Sequence, residues 1–191
     1  MFDPSKPAPG STWAASPWVE RFIDLVPAGG DVLDVACGGG RHLAFGQVKG
    51  YRMCGVDRDL SGIDRRGPGA TFELVEANFE DGSPWPFAGR RFAGVLVTNY
   101  LWRPLLPAIV SAVAADGVLI YETFGVGNDR LGRPRNPEFL LRPGELIDLV
   151  RTDFTIVAYE NVRLAAPDRI VQRIAAVGRC HPLGLELAAP A

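Results

Sequence analysis

The chain has 191 residues, of which 47% are hydrophobic, and a formal net charge of −2. That length suits one well-packed α/β domain and is short for two, and the near-neutral charge gives neither nucleic acid nor an anionic membrane a global attraction. No apolar run approaches the roughly 20 residues that span a bilayer, and the first residues lack the apolar core of a signal peptide, so the expected location is the cytoplasm with no membrane partner. Cys37, Cys54 and Cys180 form no CxxC pair or metal-ligand spacing. Reduced, mostly buried thiols are expected, with neither disulfide nor metal.

Residues 1–15 carry three prolines and little periodicity, which predicts a flexible N-terminal arm ahead of a domain over 16–191. Ser16-Pro17 then has the chemistry of a helix start, and Trp18, Val19, Phe22, Ile23 and Val26 recur at helical spacing. Pro27, Gly29 and Gly30 end that helix. A strand at 32–36, a helix from about 40, a strand at 52–56, a short helix at 60–65 and a strand at 71–76 follow in the rhythm of a parallel sheet. Next come a strand at 93–99, a helix at 105–115 and a strand at 117–124. Residues 125–143 are rich in Gly, Asn, Arg and Pro, too long for a simple connection, and predict a lid over a site. Arg130, Arg133, Arg135 and Arg142 within it are candidates to hold an anionic substrate. A short helix at 144–151 precedes two strand-like stretches, 154–164 and 169–179, that predict a terminal antiparallel hairpin.

The segment VLDVACGGGRH, residues 32–42, concentrates the chemistry. An apolar strand ends near Asp34 and runs into Gly38, Gly39 and Gly40, which remove the Cβ atoms that would keep a ligand from the backbone. The helix that follows offers unpaired N–H groups to a polar cofactor. A carboxylate at this strand end repels a pyrophosphate and attracts an ammonium group, which favours S-adenosylmethionine (SAM) over a dinucleotide. The dinucleotide fingerprint G-x-G-x-x-G half matches through Gly38 and Gly40, but its third position falls on Leu43, where glycine or alanine is wanted.

This segment resembles motif I of the class I SAM-dependent methyltransferases, whose acidic-x-Gly-x-Gly-x-Gly pattern maps onto Asp34, Ala36, Gly38 and Gly40, with alanine in place of the first glycine. GRH after the glycines and RPGEL at 142–146 are similar to small-molecule methyltransferases of the tellurite-resistance type. The resemblance implies a Rossmann-like fold: a mostly parallel seven-stranded sheet with a C-terminal antiparallel hairpin and helices on both faces. It also implies transfer of a methyl group from SAM to a small-molecule acceptor, leaving S-adenosylhomocysteine.

Asp57 closes the second strand 19 residues after Gly38, where a carboxylate can accept from both ribose hydroxyls. The resemblance makes it the ribose acid and extends the cofactor set to Cys37 and Arg58. Asn78 and Phe79 match the position that contacts adenine, the amide carbonyl accepting from the exocyclic amine and the ring supplying an apolar face. Thr98 and Asn99 end the fourth strand and are expected near the methionine part of the cofactor. Tyr100 and Trp102 are candidates to face substrate. NYLW at 99–102 is not the NPPY tetrapeptide of amino-methylating DNA enzymes, and nucleic acid is not the expected partner. Tyr100 and His42 are the candidate catalytic groups, against the plain alternatives of a core aromatic and a hydrogen-bonded structural histidine. Glu122 either faces substrate or pairs with an arginine of the following segment. Two rival readings stay open at this point, an NAD(P)-dependent oxidoreductase and a SAM-binding protein without turnover.

Overall fold

A computed structural model describes residues 14–63 and 72–184. Seven strands form one sheet: β1 (Asp31–Val35), β2 (Arg52–Asp57), β3 (Glu73–Glu76), β4 (Phe92–Thr98), β5 (Val113–Phe124), β6 (Phe154–Leu164) and β7 (Arg169–Gly178). Their order is β3-β2-β1-β4-β5-β7-β6. The first five run parallel, and β7 enters antiparallel between β5 and β6. The expected hairpin is thus in place. Among the described residues, four short α-helices flank the sheet: α1 (Pro17–Phe22), α2 (Arg41–Val48), α3 (Leu106–Ser111) and α4 (Glu145–Val150).

The period-2 alternation of the strands divides the core between two faces. Val32, Leu96, Ile120 and Ala175 pack under α1 and α2 with Trp18, Val19 and Leu43, while Leu33, Val95, Leu119 and Ile174 pack under α3 and α4 with Ile109 and Leu146. Asp34 lies between Leu33 and Val35 and therefore points to the α1–α2 face. The start of α1 follows from Ser16, whose hydroxyl accepts from the Trp18 N–H, and from Pro17 at the first turn. The Trp18 indole N–H donates to the Ile174 carbonyl at 3.1 Å, docking α1 on β7.

Two expectations are corrected. The helix expected over 105–115 ends at Ser111, because Val113 pairs with Phe92 and the strand is continued into β5 through a register shift that accommodates residues 114–117. Residues 61–62 form a turn where a helix was expected; the remainder of that helix at 64–65, like residues 1–13 of the arm, lies outside the described residues. The segment 125–143 is ordered by its own packing. Leu140 and Leu141 are buried, the Val126 N–H donates to the Leu141 carbonyl, and Asn128 is held between the Ile170 N–H and the Arg133 carbonyl.

Arg103 pins this segment from outside it. Its guanidinium forms a bidentate pair with Glu145 at 2.7 and 3.0 Å and also donates to the carbonyls of Glu138 and Leu140 at 2.6 and 2.9 Å. Burial pushes the Glu145 carboxyl up, but Arg103 and the Arg142 N–H outweigh it and hold the group below its ordinary value of 4.5. A depressed carboxyl contributes stability above its unfolded value and loses it as pH falls through the folded one. Arg103→Ala is therefore expected to cost about 2 kcal/mol at neutral pH, with faster proteolytic cutting within 125–143. The difference in melting temperature from wild type should shrink below pH 4.5, and equal melting of both proteins at pH 7 would contradict the clamp.

Candidate active site

The carboxyl ends of the parallel strands open onto a cavity of about 890 Å³, at the edge where ligands of open α/β sheets bind. Its floor is the turn after β1, from Ala36 to Gly39. The Cys37 N–H donates to the Val56 carbonyl and the Gly40 N–H to the Cys37 carbonyl, which folds the turn tightly. Gly38 has φ +52° and nothing within 4 Å of where a Cβ would stand, so its missing side chain is open cavity space. Ala36 has φ +56°. It occupies the left-handed region that the family pattern assigns to glycine, at a cost on the order of 1–2 kcal/mol. Asn99, at the end of β4, is also left-handed, with φ +55°, a conformation that asparagine tolerates.

Asp57 stands opposite this turn. Its Oδ2 accepts from the Gly38 N–H at 2.8 Å and its Oδ1 from the Asp59 N–H at 3.1 Å. The carboxylate is fixed, so its remaining lone pairs face the cavity without reorganisation on binding. Arg58, Asn78, Phe79, Thr98, Asn99 and Tyr100 join it on the wall. The Asn78 carbonyl oxygen already accepts from the Glu80 N–H at 3.1 Å, so an adenine amine would have to share it. Phe79 is 8% exposed and stacks at a tilt on Trp85, 5.4 Å between centroids, making it a core side chain with one edge on the cavity.

Four residues expected at the site stand off its wall. Asp34 is fully buried beneath α2, and among the described residues neither carboxylate oxygen has a hydrogen-bond partner. His42 lies 3.7 Å from it through Nδ1, while its Nε2 accepts from the Ser16 N–H at 3.1 Å. An accepting Nε2 places the ring proton on Nδ1, toward Asp34. His42 thus ties α1 to the glycine turn and does not reach the cavity as a base. Gly40 is the left-handed cap of α2, φ +77°, packed on Ile63. Trp102 packs against the α3–α4 core.

Tyr100 does line the cavity. Burial pushes its phenol up to about 12, with the Glu80 and Asp57 charges adding to the effect. It stays protonated at neutral pH, a hydrogen-bond donor and not a base. Burial likewise pushes up the Cys37 thiol, helped by Asp34 and Asp57, and raises Cys54 to about 12, so neither is a ready nucleophile. Glu122 is buried at 1% exposure and pairs with Arg173 of β7 at 3.2 Å, not with the segment after β5. None of the four arginines expected to grip substrate from 125–143 lines the cavity; Pro134 and Phe139 do so instead. Arg41, Thr123 and Phe124 complete that end of the wall. Phe139 and Pro134 could not be read as site residues from sequence, because contacts made in the completed fold, with β5, β7 and Arg103, bring their segment back over the strand ends. Among the described residues no group of His, Cys, Asp or Glu is suited to hold a metal ion, and no helix is long and apolar enough to cross a membrane.

No family model matches the sequence, and no curated protein matches it. Solved structures do. TehB from Haemophilus influenzae superposes with a TM-score of 0.68 at 14% identity over 88% of this chain, which spans 63% of that structure's length. A SAM-dependent methyltransferase from Methanosarcina mazei gives 0.66 at 17% identity, covering 86% of this chain and 98% of that one. The 1,6-didemethyltoxoflavin-N1-methyltransferase of Burkholderia thailandensis, solved with its substrate and S-adenosylhomocysteine, gives 0.60 at 19% identity, covering 85% and 76%. The dinucleotide alternative meets a steric objection as well. Leu43 fills the space at the helix–strand contact, and it fits only because β2 carries Gly55, where a Cβ would stand 2.8 Å from the Leu43 Cδ1. Sheet order, terminal hairpin and superposition agree that this chain has the fold of the class I SAM-dependent methyltransferases.

Proposed function

We propose that the protein is a SAM-dependent methyltransferase acting on a small molecule. The observation that carries this reading is the pairing of Asp57 with the Gly38 N–H across a cavity floored by a glycine turn. Asp57 holds the ribose, Asn78, Phe79 and Arg58 surround the adenine, and Ala36, Cys37 and Gly38 with Thr98 and Asn99 border the methionine part. The buried, unpartnered carboxylate of Asp34 supports a cationic neighbour at that end, acting electrostatically through the turn it underlies.

When bound, SAM supplies a methyl group already activated by its sulfonium, and the chain's task is alignment and exclusion of water. Positioning of this kind is worth roughly 7–11 kcal/mol. Phe124, Pro134 and Phe139 give the acceptor end an apolar wall that strips water from the incoming group. Neither candidate base is placed to remove a proton from the acceptor: Tyr100 is held protonated, and His42 is turned away.

A small acceptor is supported by the toxoflavin-precursor enzyme among the similar folds. Calorimetric titration with S-adenosylhomocysteine and, separately, NADH tests the assignment. One-to-one binding of the former and none of the latter is expected. Binding of NADH alone would replace the methyltransferase reading with an oxidoreductase.

A further inference from the structure

We propose that His42 is a positioning residue for the cofactor: as a neutral ring it anchors the entry of α1, and on taking a second proton it gives its charge to Asp34, so that cofactor binding and proton release from His42 are linked. The inference rests on the methyltransferase reading for the identity of the ligand, and the linkage itself on the buried side chains behind the glycine turn. Asp34 and His42 are both buried, and neither Asp34 oxygen has a hydrogen-bond partner among the described residues. The one cationic group within 4 Å of that carboxylate, among the same residues, is His42, at 3.7 Å from Nδ1 to Oδ2. A carboxylate out of water and unpaired favours any cation brought near it. Two cations can answer: the positive end of SAM at the turn that directly follows β1, and the imidazolium of His42.

The ring cannot serve Ser16 and carry both protons. Its Nε2 accepts from the Ser16 N–H at 3.1 Å. Ser16 is a junction, because its hydroxyl donates to Glu122 Oε1 at 3.0 Å and accepts from the Trp18 N–H at 3.2 Å, leaving the bond to His42 to join the entry of α1 to α2. A second proton turns Nε2 into a donor that faces the Ser16 N–H, and the charged ring gains Asp34, a few tenths of an ångström beyond hydrogen-bond reach. Protonation and cofactor then compete for one carboxylate. As pH falls the imidazolium cancels the charge beneath the turn and cofactor affinity falls with it, and binding within that range expels the proton.

The other charged groups around the pair have partners of their own. Arg41, beside His42 on α2, reaches the Ala14 carbonyl and the Thr98 hydroxyl at 3.5 and 3.4 Å. Glu122 of β5 is held by Arg173 of β7 at 3.2 Å, with Arg169 at 3.8 Å, and Arg21 of α1 faces Glu160 of β6. Asp57 of β2 accepts from the Gly38 and Asp59 N–H groups, and burial keeps the Cys37 thiol protonated. Between pH 5 and 8 histidine is the side chain that ordinarily changes charge, and the chain has two. His181 stands at the opposite edge of the sheet, past the end of β7, with Nε2 on the Leu25 carbonyl and Nδ1 on the Leu183 N–H.

The test uses the full chain and calorimetry at low salt with SAM and S-adenosylhomocysteine, in phosphate and in Bis-Tris, whose heats of ionisation differ. Wild type is expected to lose about tenfold or more in SAM affinity between pH 8.0 and 5.5, to lose less for S-adenosylhomocysteine, which carries one positive charge fewer, and to release a proton on binding at pH 6.0. His42→Gln has a side-chain carbonyl that can accept from the Ser16 N–H and no charge to gain. It should change within about twofold over the same range and release no proton, while His181→Gln follows wild type. Melting curves at both pH values check that each protein is folded. A histidine that only ties α1 down would lower the melting temperature of wild type in acid without altering its affinity, and that result would overturn the linkage. So would equal pH dependence in wild type and His42→Gln, equal losses for the two nucleosides, or proton release retained in His42→Gln, which would assign the proton to Asp34 itself. If neither nucleoside binds wild type at any pH, the methyltransferase reading fails on its own. The coupling is then decided in the free protein by nuclear magnetic resonance: the His42 ring should titrate at lower pH in Asp34→Asn than in wild type, and coincident curves would overturn it.

Discussion

Gly38→Val is expected to weaken S-adenosylhomocysteine binding more than a hundredfold while leaving the protein folded. Two costs fall on the same position. At φ +52° a β-branched residue is strained, on the order of 1–2 kcal/mol, a cost borne by the free protein too. The larger effect is on the ligand. No heavy atom lies within 4 Å of the Cβ position, so the new side chain meets no protein and stands in the space the cofactor requires. Calorimetry reads the binding and thermal melting the fold, and a variant that melts a few degrees lower but binds normally would remove the glycine turn from the site.

Asp57→Ala separates the ribose interaction from the shape of the turn. It is expected to weaken S-adenosylhomocysteine by roughly 1.5–3 kcal/mol, the range for hydrogen bonds to a charged group, or about 10- to 150-fold. The carboxylate has two employments, since it holds the Gly38 and Asp59 N–H groups as well as facing the cavity. Asp57→Asn isolates them. An amide carbonyl can keep the Gly38 N–H but carries no charge for a ribose hydroxyl, so the loss should be smaller than with alanine and the melting temperature closer to wild type. Equal affinity for all three proteins would put the ribose elsewhere.

Both predictions concern residues that could be read from the sequence, and the reason is locality. Val32 to Val35, the glycines and Asp57 belong to a strand, a turn and the end of the next strand, where period-2 burial, left-handed backbone and strand-end placement are set by residue type within a few positions. The terminal hairpin was legible for the same reason, as two strand-like stretches joined by the short connection Ala165–Asp168. Even the misplaced end of α3 is a local ambiguity: residues 112–115 suit a helix, and only pairing of Val113 with Phe92 turns them into strand.

What tertiary structure decided is which side chains the ends of those elements bring together. Asp34 reads as a cofactor ligand from its position, yet the alternation of β1 sends its carboxylate under α2, beside His42 and away from the cavity wall. Glu122 was ambiguous between substrate and a nearby arginine until β7 entered beside β5 and set Arg173 against it. The segment 125–143 carries arginines and looks like a charged lid. Arg103, 42 residues before Glu145, closes it, and the cavity receives Pro134 and Phe139 in their place. Strand, turn and hairpin follow from neighbours in sequence, because backbone preferences and burial period act over a few residues; charge partners and cavity walls follow from strand order, because burial forces each polar group to take whatever partner the completed sheet sets beside it.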